Sequence, residues 1–398
     1  MRAHPPGRIL QAPDLAAVAL GLAVLLPILL AYYRPAEGWL DVTGHPIGRD
    51  FINNWVGPRL AFSGRLATLF DLSGYHAALG QEFGTPLPFH NWGYPPFTLI
   101  LLRPLALLPY GVALGLWTLG LFAVFAAVTL SPVPPERRMR ALLLLALAPA
   151  CLINAVGGQN GFLTAALFLG GLMALDRRPV LAGILFGLLT FKPHLGLILP
   201  FALVALGAWR TILAAATSAL VLVAVSLAAF GIEPWQQYVT ATSGFQYGLL
   251  DHYEGFFTTM MISVCAAARS FGLPTAPAFA LQAAVTLPVL AATVYAVRET
   301  RDPLKRATVL AAAVPLMTPY AFNYDLTALS AVIVWRVFVR PEAAPERVVV
   351  WLAWVTPALS MQFGLLGIGF APVPLLAFFA LAVREAVGAG APAAAPAR

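Results

Sequence analysis

The chain has 398 residues, of which 60% are hydrophobic and 10% charged; its mean hydropathy is +0.81 and its net charge +7. Soluble domains carry about 25% charged residues, so this composition excludes an ordinary soluble protein and specifies a polytopic membrane protein. Lysine contributes only Lys192 and Lys305 to the 24 basic residues, and the arginine excess reads as loop bias at a membrane rather than nucleic-acid binding.

The first apolar run, 14–33, follows Arg2 and Arg8 in the manner of a secretory signal. Its length of about 20 residues, without a small-residue cleavage site, predicts an anchored first helix instead. A polar stretch follows from Arg34 to Gly93, with Glu37, Asp41, Asp50, Asp71, Glu82 and three histidines. So many titratable groups in one extramembrane segment of a charge-poor chain make it the active-site candidate. Further spans are predicted near 111–130, 141–156, 159–175, 179–191, 193–208, 211–230, 276–297, 307–321, 325–339, 347–363 and 365–384, about twelve with the first. They are expected to be helices, the only open-chain structures that satisfy every backbone group in lipid. Pro149, Pro200 and Pro315 predict kinks. Residues 94–109 and 259–272 read equally as half-spans or juxtamembrane helices. Residues 1–388 form one integral-membrane domain in this reading, and the Ala/Pro tail 389–398 is expected to be disordered.

Arginine sets the expected orientation. Placing the basic loops 137–140, 177–178, 210, 298–306 and 340–347 inside, with both termini, obeys the positive-inside rule. The outer face then receives two large periplasmic loops, 34–93 and 231–258, and the short segments 157–160, 191–194 and 319–325. Cys151 and Cys265 lie in apolar runs and read as core residues rather than a disulfide or metal pair.

Several residues on that face carry candidate chemistry. Asp50 at a membrane–water boundary suits a general base, because burial raises a carboxylate's pKa towards a useful range; the competing reading is a helix N-cap. Arg49 beside it, and Asn53 or Asn54 a turn later, are placed to orient Asp50 or the substrate. Lys192, between Phe191 and Pro193-His194, is a cation among apolar spans, which faces an anion such as phosphate or snorkels at a helix end. Gly157-Gly158-Gln159-Asn160 offers amides for sugar hydroxyls or simply ends a helix. Tyr94-Pro95-Pro96 reads foremost as a rigid turn, with Tyr94 kept as a substrate contact. The aromatics of 233–254 suit carbohydrate stacking or an interfacial belt. Asp251, His252 and Glu254 match no strong metal motif, so His252 is kept as a substrate contact and no metal is expected. Tyr320, Asn323 and Asp325 place an aromatic, an amide and a carboxylate at the outer end of a late span. The chain has no D-x-D, Walker A, G-x-S-x-G or thiolate cluster, which argues against a nucleotide-sugar or ATP donor.

The order Arg49-Asp50-Phe51, Arg59-Leu60-Ala61-Phe62-Ser63-Gly64, Leu69-Phe70-Asp71, Tyr94-Pro95-Pro96-Phe97, Gly158-Gln159-Asn160, Ala182-Gly183 and Lys192-Pro193 resembles glycosyltransferase family 87 over roughly 14–340. These are polytopic GT-C enzymes similar to polyprenol-phosphate-mannose-dependent α-1,2-mannosyltransferases. The resemblance implies an all-α GT-C fold with Asp50 as catalytic base in the first outer loop. It also implies a polyprenyl-phosphate sugar donor, a lipid or glycan acceptor, no nucleotide cofactor, and Lys192 near the donor phosphate, with Arg59 and His194 as further candidates to stabilise it. One departure is the late segment, where Thr318-Pro319 leads to Tyr320, Asn323 and Asp325 instead of the histidine common in relatives. The expected setting is a bacterial inner membrane with the site facing the periplasm. A transporter or flippase of lipid-linked sugars is the rival reading; it predicts internal repeats, which the two halves of the sequence do not show.

Overall fold

The computed structural model describes residues 10–339 and 344–388; the predicted disordered tail lies outside them. Among the described residues the protein is all-helical, with isolated bridges such as Met261–Phe322 in place of strands. Five helices are long and apolar enough to cross a membrane: Ala12–Tyr32, Tyr110–Leu130, Trp209–Phe230, Thr275–Glu299 and Glu346–Leu365. Pro135–Ala146 and Pro149–Val156, bent by 58°, add a sixth if they form one broken span.

The other predicted spans are shorter helices: Gly161–Ala174, Pro179–Leu188, Leu199–Ala205, Pro303–Ala313, Thr327–Phe338 and Pro372–Gly388. Thr327–Phe338 is buried at nearly every position and packs on Gly161–Ala174 and Pro303–Ala313. Pro149 opens the second half of the span broken by 58°, as its expected kink requires, and Pro200 lies in the first turn of Leu199–Ala205, where its missing N–H has no partner anyway. Pro315 sits in a short 3-10 turn, Val314–Leu316. Phe97–Ala106 has 10 residues and Val264–Ser270 has 7, so neither ambiguous segment can cross a core of about 30 Å at 1.5 Å per residue.

Residues 231–258, read as a loop, are mostly the helix Glu233–His252, which opens with Pro234 and stops at Tyr253 in the left-handed region, φ 52°. A search for unbroken apolar runs passes over a helix this rich in polar and aromatic side chains. The segment 34–93 does carry helices, Phe51–Phe62 and Leu72–Phe83.

Packing explains the glycines of Pro179–Leu188. Trp209–Phe230 leaves Leu213 68% and Leu220 67% exposed, a surface suited to lipid. Its other side lies against Gly183 and Gly187, where an added Cβ would come within 2.5 Å of Ala214 Cβ and of Ser218 Cβ, respectively. Such small-xxx-small seams let backbones approach where no hydrophobic effect drives helices together.

The basic residues gather at one end of the bundle. Arg306 forks onto Asp176 at 3.0 and 2.9 Å, Arg336 pairs with Glu385 at 2.5 Å, and Arg137 donates to the Phe338 carbonyl at 2.8 Å. Thr327–Phe338 runs from this end to Asp325 at the other, and Gly161–Ala174 does the same between Asp176 and Asn160.

Replacing Gly183 by Leu should force the two helices apart and destabilise the protein by about 1–3 kcal/mol. The check is thermal unfolding in detergent, with exposed Ile184→Leu as the unchanged control; equal melting of the two variants would remove the close-packing argument.

Candidate active site

The site is built where Phe51–Phe62 begins. Asp50 is the N-cap residue of that helix, yet its side chain makes no capping hydrogen bond. It accepts instead from Gln159 Nε2, 109 residues away. The capping reading is therefore set aside: the carboxylate faces a cavity.

Two glycines make that contact possible. Gly158 has φ +57°, and a Cβ on it would lie 2.0 Å from the Gly48 carbonyl oxygen and 2.7 Å from Phe51 Cβ. The Asp50 amide donates to the Gly157 carbonyl at 3.2 Å. Trp117, within the π-turn Leu116–Gly120, donates through Nε1 to the Gly158 and Gln159 carbonyls at 3.0 and 3.2 Å. The loop before Asp50 is held by Arg49, itself in the left-handed region at φ 33°. Its guanidinium donates to Asp41 Oδ2 at 3.0 Å, to Thr43 Oγ1 at 3.0 Å and to the Tyr32 carbonyl, and it stacks 3.8 Å over the Tyr33 ring.

A second network faces Asp50 across the cavity. Lys192 Nζ is 2.5 Å from Asp325 Oδ1 and 3.0 Å from Asn160 Oδ1. Asn160 Nδ2 donates to Tyr94 Oη at 3.0 Å, and Asp325 Oδ2 accepts the Phe322 amide at 3.1 Å. Lys192 and Asp325 are both buried. The pairing answers the cost of a cation among apolar spans, and it consumes the charge that the sequence reading left for a phosphate alone.

Two cavities meet at Asp50. One, of about 340 Å³, is lined by Asn53, Tyr94, Gln159, Lys192, His194 and Tyr320 together with aromatics of Glu233–His252. The other, of about 250 Å³, is more apolar and is walled by Tyr32, Tyr33, Ile153, Phe256, Phe257 and Met260, with His45 and Arg49. Asp50, Phe89, His90, Gln159, Phe257 and Tyr324 belong to both.

The model of glycosyltransferase family 87 matches residues 92–319, more than half of the chain. The chain belongs to this family. No curated protein and no solved structure matches it. A multi-pass membrane glycosyltransferase is thus established. The matched stretch contains Tyr94, Gln159, Asn160, Lys192 and His194, and the Gln159 contact brings Asp50 to it from outside.

Electrostatics in the transferase favour a basic carboxylate. A quarter of the Asp50 side chain stays accessible, but the surrounding protein desolvates it and raises its pKa, opposed by the Gln159 hydrogen bond and by Arg49. His45 and His90 are both lowered to about 4, chiefly by burial, with Arg49 contributing. His90 Nδ1 lies 3.8 Å from Asp50 Oδ1; with the imidazole neutral at pH 7 this is a polar contact, not an ion pair. Neither His90 ring nitrogen has a hydrogen-bond partner.

Not every sequence candidate reaches the cavities. Arg59 sits in the last turn of its helix, donating to the Ala106 carbonyl at 3.1 Å and stacking 4.3 Å over Trp55. Asn54 is buried and lines neither cavity; Asn323 is buried and donates to the Pro357 carbonyl at 3.3 Å. His252 ends its helix on the exposed surface. Asp251 accepts from Thr275 at 2.6 Å, and no group of three or more His, Cys, Asp or Glu among the described residues is placed to hold a metal. Sequence reasoning did not single out His45, His90 and Tyr324 as cavity residues, whereas Tyr238 is one of the aromatics of 233–254 read there for carbohydrate stacking. His90 had a signal, since it stands four residues before Tyr94-Pro95-Pro96.

Lys192→Met strands Asp325 and should cost about 3–5 kcal/mol, whereas adding Asp325→Asn should return part of that loss. Unfolding of single and double variants in detergent tests the coupling; additive losses would mean the pair does not act as one unit.

Proposed function

We propose that this transferase moves a hexosyl or pentosyl group from a polyprenyl-phosphate donor to a lipid-linked or glycan acceptor, with inversion at the anomeric carbon. The observation that carries the reading is Asp50: a desolvated carboxylate, not used as a helix cap, at the junction of two cavities of different polarity. In the proposed step an acceptor hydroxyl attacks the anomeric carbon, and its proton passes to an Asp50 carboxylate oxygen. The bond from that carbon to the phosphate oxygen breaks, its electron pair leaves with the polyprenyl phosphate, and the new glycosidic bond forms on the opposite side. No nucleotide or divalent metal takes part in this scheme.

The larger cavity suits the donor. Lys192 keeps a donor hydrogen beyond those directed at Asp325 and Asn160, so the phosphate would share this cation with Asp325, and His194 Nε2, without a partner, is close by. Electrostatic stabilisation of the leaving charge is usually the largest catalytic contribution. Tyr94, Tyr238, Tyr320 and Tyr324 give rings for the sugar faces. The smaller, apolar cavity suits an amphipathic acceptor, whose hydroxyl would meet neutral His90 beside Asp50. The basic residues at the far end of the bundle, under the positive-inside rule, support a GT-C-like arrangement in a bacterial inner membrane with the site towards the periplasm.

Transfer from radiolabelled polyprenyl-phosphate sugars to membrane lipid extracts tests the reading. Asp50→Asn should lower turnover at least 10²-fold, as expected for loss of a general base, while melting as the wild type does. Near-normal activity in that variant would sink the assignment. The pH profile follows with a definite sign. The base works deprotonated, so activity falls as pH drops through the Asp50 pKa, and the raised pKa puts that limb above the ordinary carboxylate value of about 4. Gln159→Leu removes the bond that holds the pKa down and should move the limb further up in pH. An unmoved or lowered limb would contradict the role given to Gln159.

A further inference from the structure

The basic end of the bundle contains a cavity that the transfer reaction does not use. It measures about 770 Å³ and opens between the turns at 175–179, 206–211 and 297–306. Arg210, Arg298, Arg301 and Arg306 line it, with Asp176 as the carboxylate among them. Arg306 and Asp176 neutralise each other through their two-pronged bond. Arg210, Arg298 and Arg301 have no ion-pair partner among the described residues, so the cavity carries uncompensated positive charge.

Two buried groups of the cavity wall, enclosed by protein, lack hydrogen-bond partners. Arg306 is 7% exposed, and its Nε has no hydrogen-bond partner. Thr211 is fully buried, and its hydroxyl has none either. Buried polar atoms without partners cost free energy, so each such atom in a folded protein asks for an explanation. The cavity is also met by the start of the 22-residue helix Trp209–Phe230, whose N-cap residue Ala208 supplies no side-chain cap. The unsatisfied N–H groups and the dipole of such an end favour an anion.

The surroundings specify what carries that anion. Trp209 is 61% exposed at the cavity mouth, and the same helix continues as the most lipid-exposed of the long ones, 6% buried. A phosphate bound among the arginines would have its acyl chains running along this apolar face. We infer that the cavity binds the phosphate of an anionic phospholipid headgroup, on the membrane face opposite Asp50. Arginine suits the site better than lysine because its planar fork matches phosphate oxygens and is more weakly hydrated. The leaflet at the arginine-rich end of a membrane protein is also the anionic one.

The test is binding of phosphatidylglycerol to delipidated full-length protein, followed by native mass spectrometry and thermal unfolding, with phosphatidylcholine and inorganic phosphate as comparison ligands. Phosphatidylglycerol should bind and raise the melting temperature where phosphatidylcholine does not. Arg298→Gln with Arg301→Gln should weaken that binding at least tenfold, because each removes a charge-assisted contact to the phosphate. Arg138→Gln with Arg140→Gln removes the same charge at the same end, outside the cavity, and should leave binding within about twofold. Equal weakening by the two pairs would reduce the effect to general surface charge and overturn the site. Inorganic phosphate that binds and displaces the lipid at comparable concentration would assign the cavity to a free anion and overturn the lipid assignment. The readout does not depend on glycosyl transfer, so Asp50→Asn should bind the lipid like the wild type; this separates failure here from failure of the proposed reaction.

Discussion

The arrangement of the site depends on neutralising Lys192. An ammonium group enclosed by apolar helices is costly unless an anion and hydrogen-bond acceptors surround it, and here they come from distant parts of the chain. Asp325 supplies the charge, Asn160 a carbonyl oxygen, and Tyr324 a ring 4.9 Å away. Three chain turns must therefore converge: the end of Pro179–Leu188, the start of Gly161–Ala174, and the start of Thr327–Phe338. Each of these helices is short, and Thr327–Phe338 is buried against Gly161–Ala174 and Pro303–Ala313. Core packing and site geometry are thus consequences of one compensation requirement, which is why polar residues sit at the ends of helices that are otherwise hydrocarbon.

Asp50 is delivered differently. Its helix packs on Phe97–Ala106 and is fixed from outside the matched family segment by backbone contact. The approach of Gly158 to Gly48 leaves no room for a Cβ, and Trp117 holds the same turn through two carbonyls. Arg49 accepts an uncommon backbone conformation because Asp41, Thr43 and the Tyr32 carbonyl over-determine its position. Strain of this kind persists where surroundings enforce it, and here it turns the adjacent carboxylate away from the helix end it would otherwise cap. The result is a carboxylate aimed at a cavity and oriented by an amide, with neutral histidines beside it.

Much of this was legible in the amino-acid pattern. Asp50, Gln159, Asn160, Lys192 and Asp325 stand out because polar residues are scarce in this chain and costly in its setting. The membrane class follows from composition, and the long spans from unbroken apolar runs. What the pattern hid has physical reasons. Thr327–Phe338 and Gly161–Ala174 are shorter than the apolar runs that contain them, because turns at either end take up the rest. Glu233–His252 resembles a loop because its periodicity mixes aromatics with polar groups. Arg59 looks available to a phosphate, but its charge is spent on Trp55, Glu82 at 3.6 Å and a backbone carbonyl, contacts that only the folded chain brings together. His90 had only the nearby Tyr94-Pro95-Pro96 as a signal, because its proximity to Asp50 arises across 40 positions of folded loop.

The two ends of the bundle also divide the electrostatic labour. Around Asp50 each full charge is matched at close range, Arg49 by Asp41 at 2.9 Å and Lys192 by Asp325 at 2.5 Å, so the field in the cavity is set by local geometry. A desolvated base keeps a raised pKa only if no unpaired cation stands beside it, and the histidines there satisfy this by being neutral. At the far end the pairing is incomplete, with several arginines held open in one cavity. Unpaired positive charge on that side biases the orientation of the chain in the membrane and attracts anionic headgroups. Placed near Asp50, the same arginines would lower its pKa and weaken it as a base. Keeping the cation-rich surface a bundle length away from the carboxylate lets one small protein satisfy both demands.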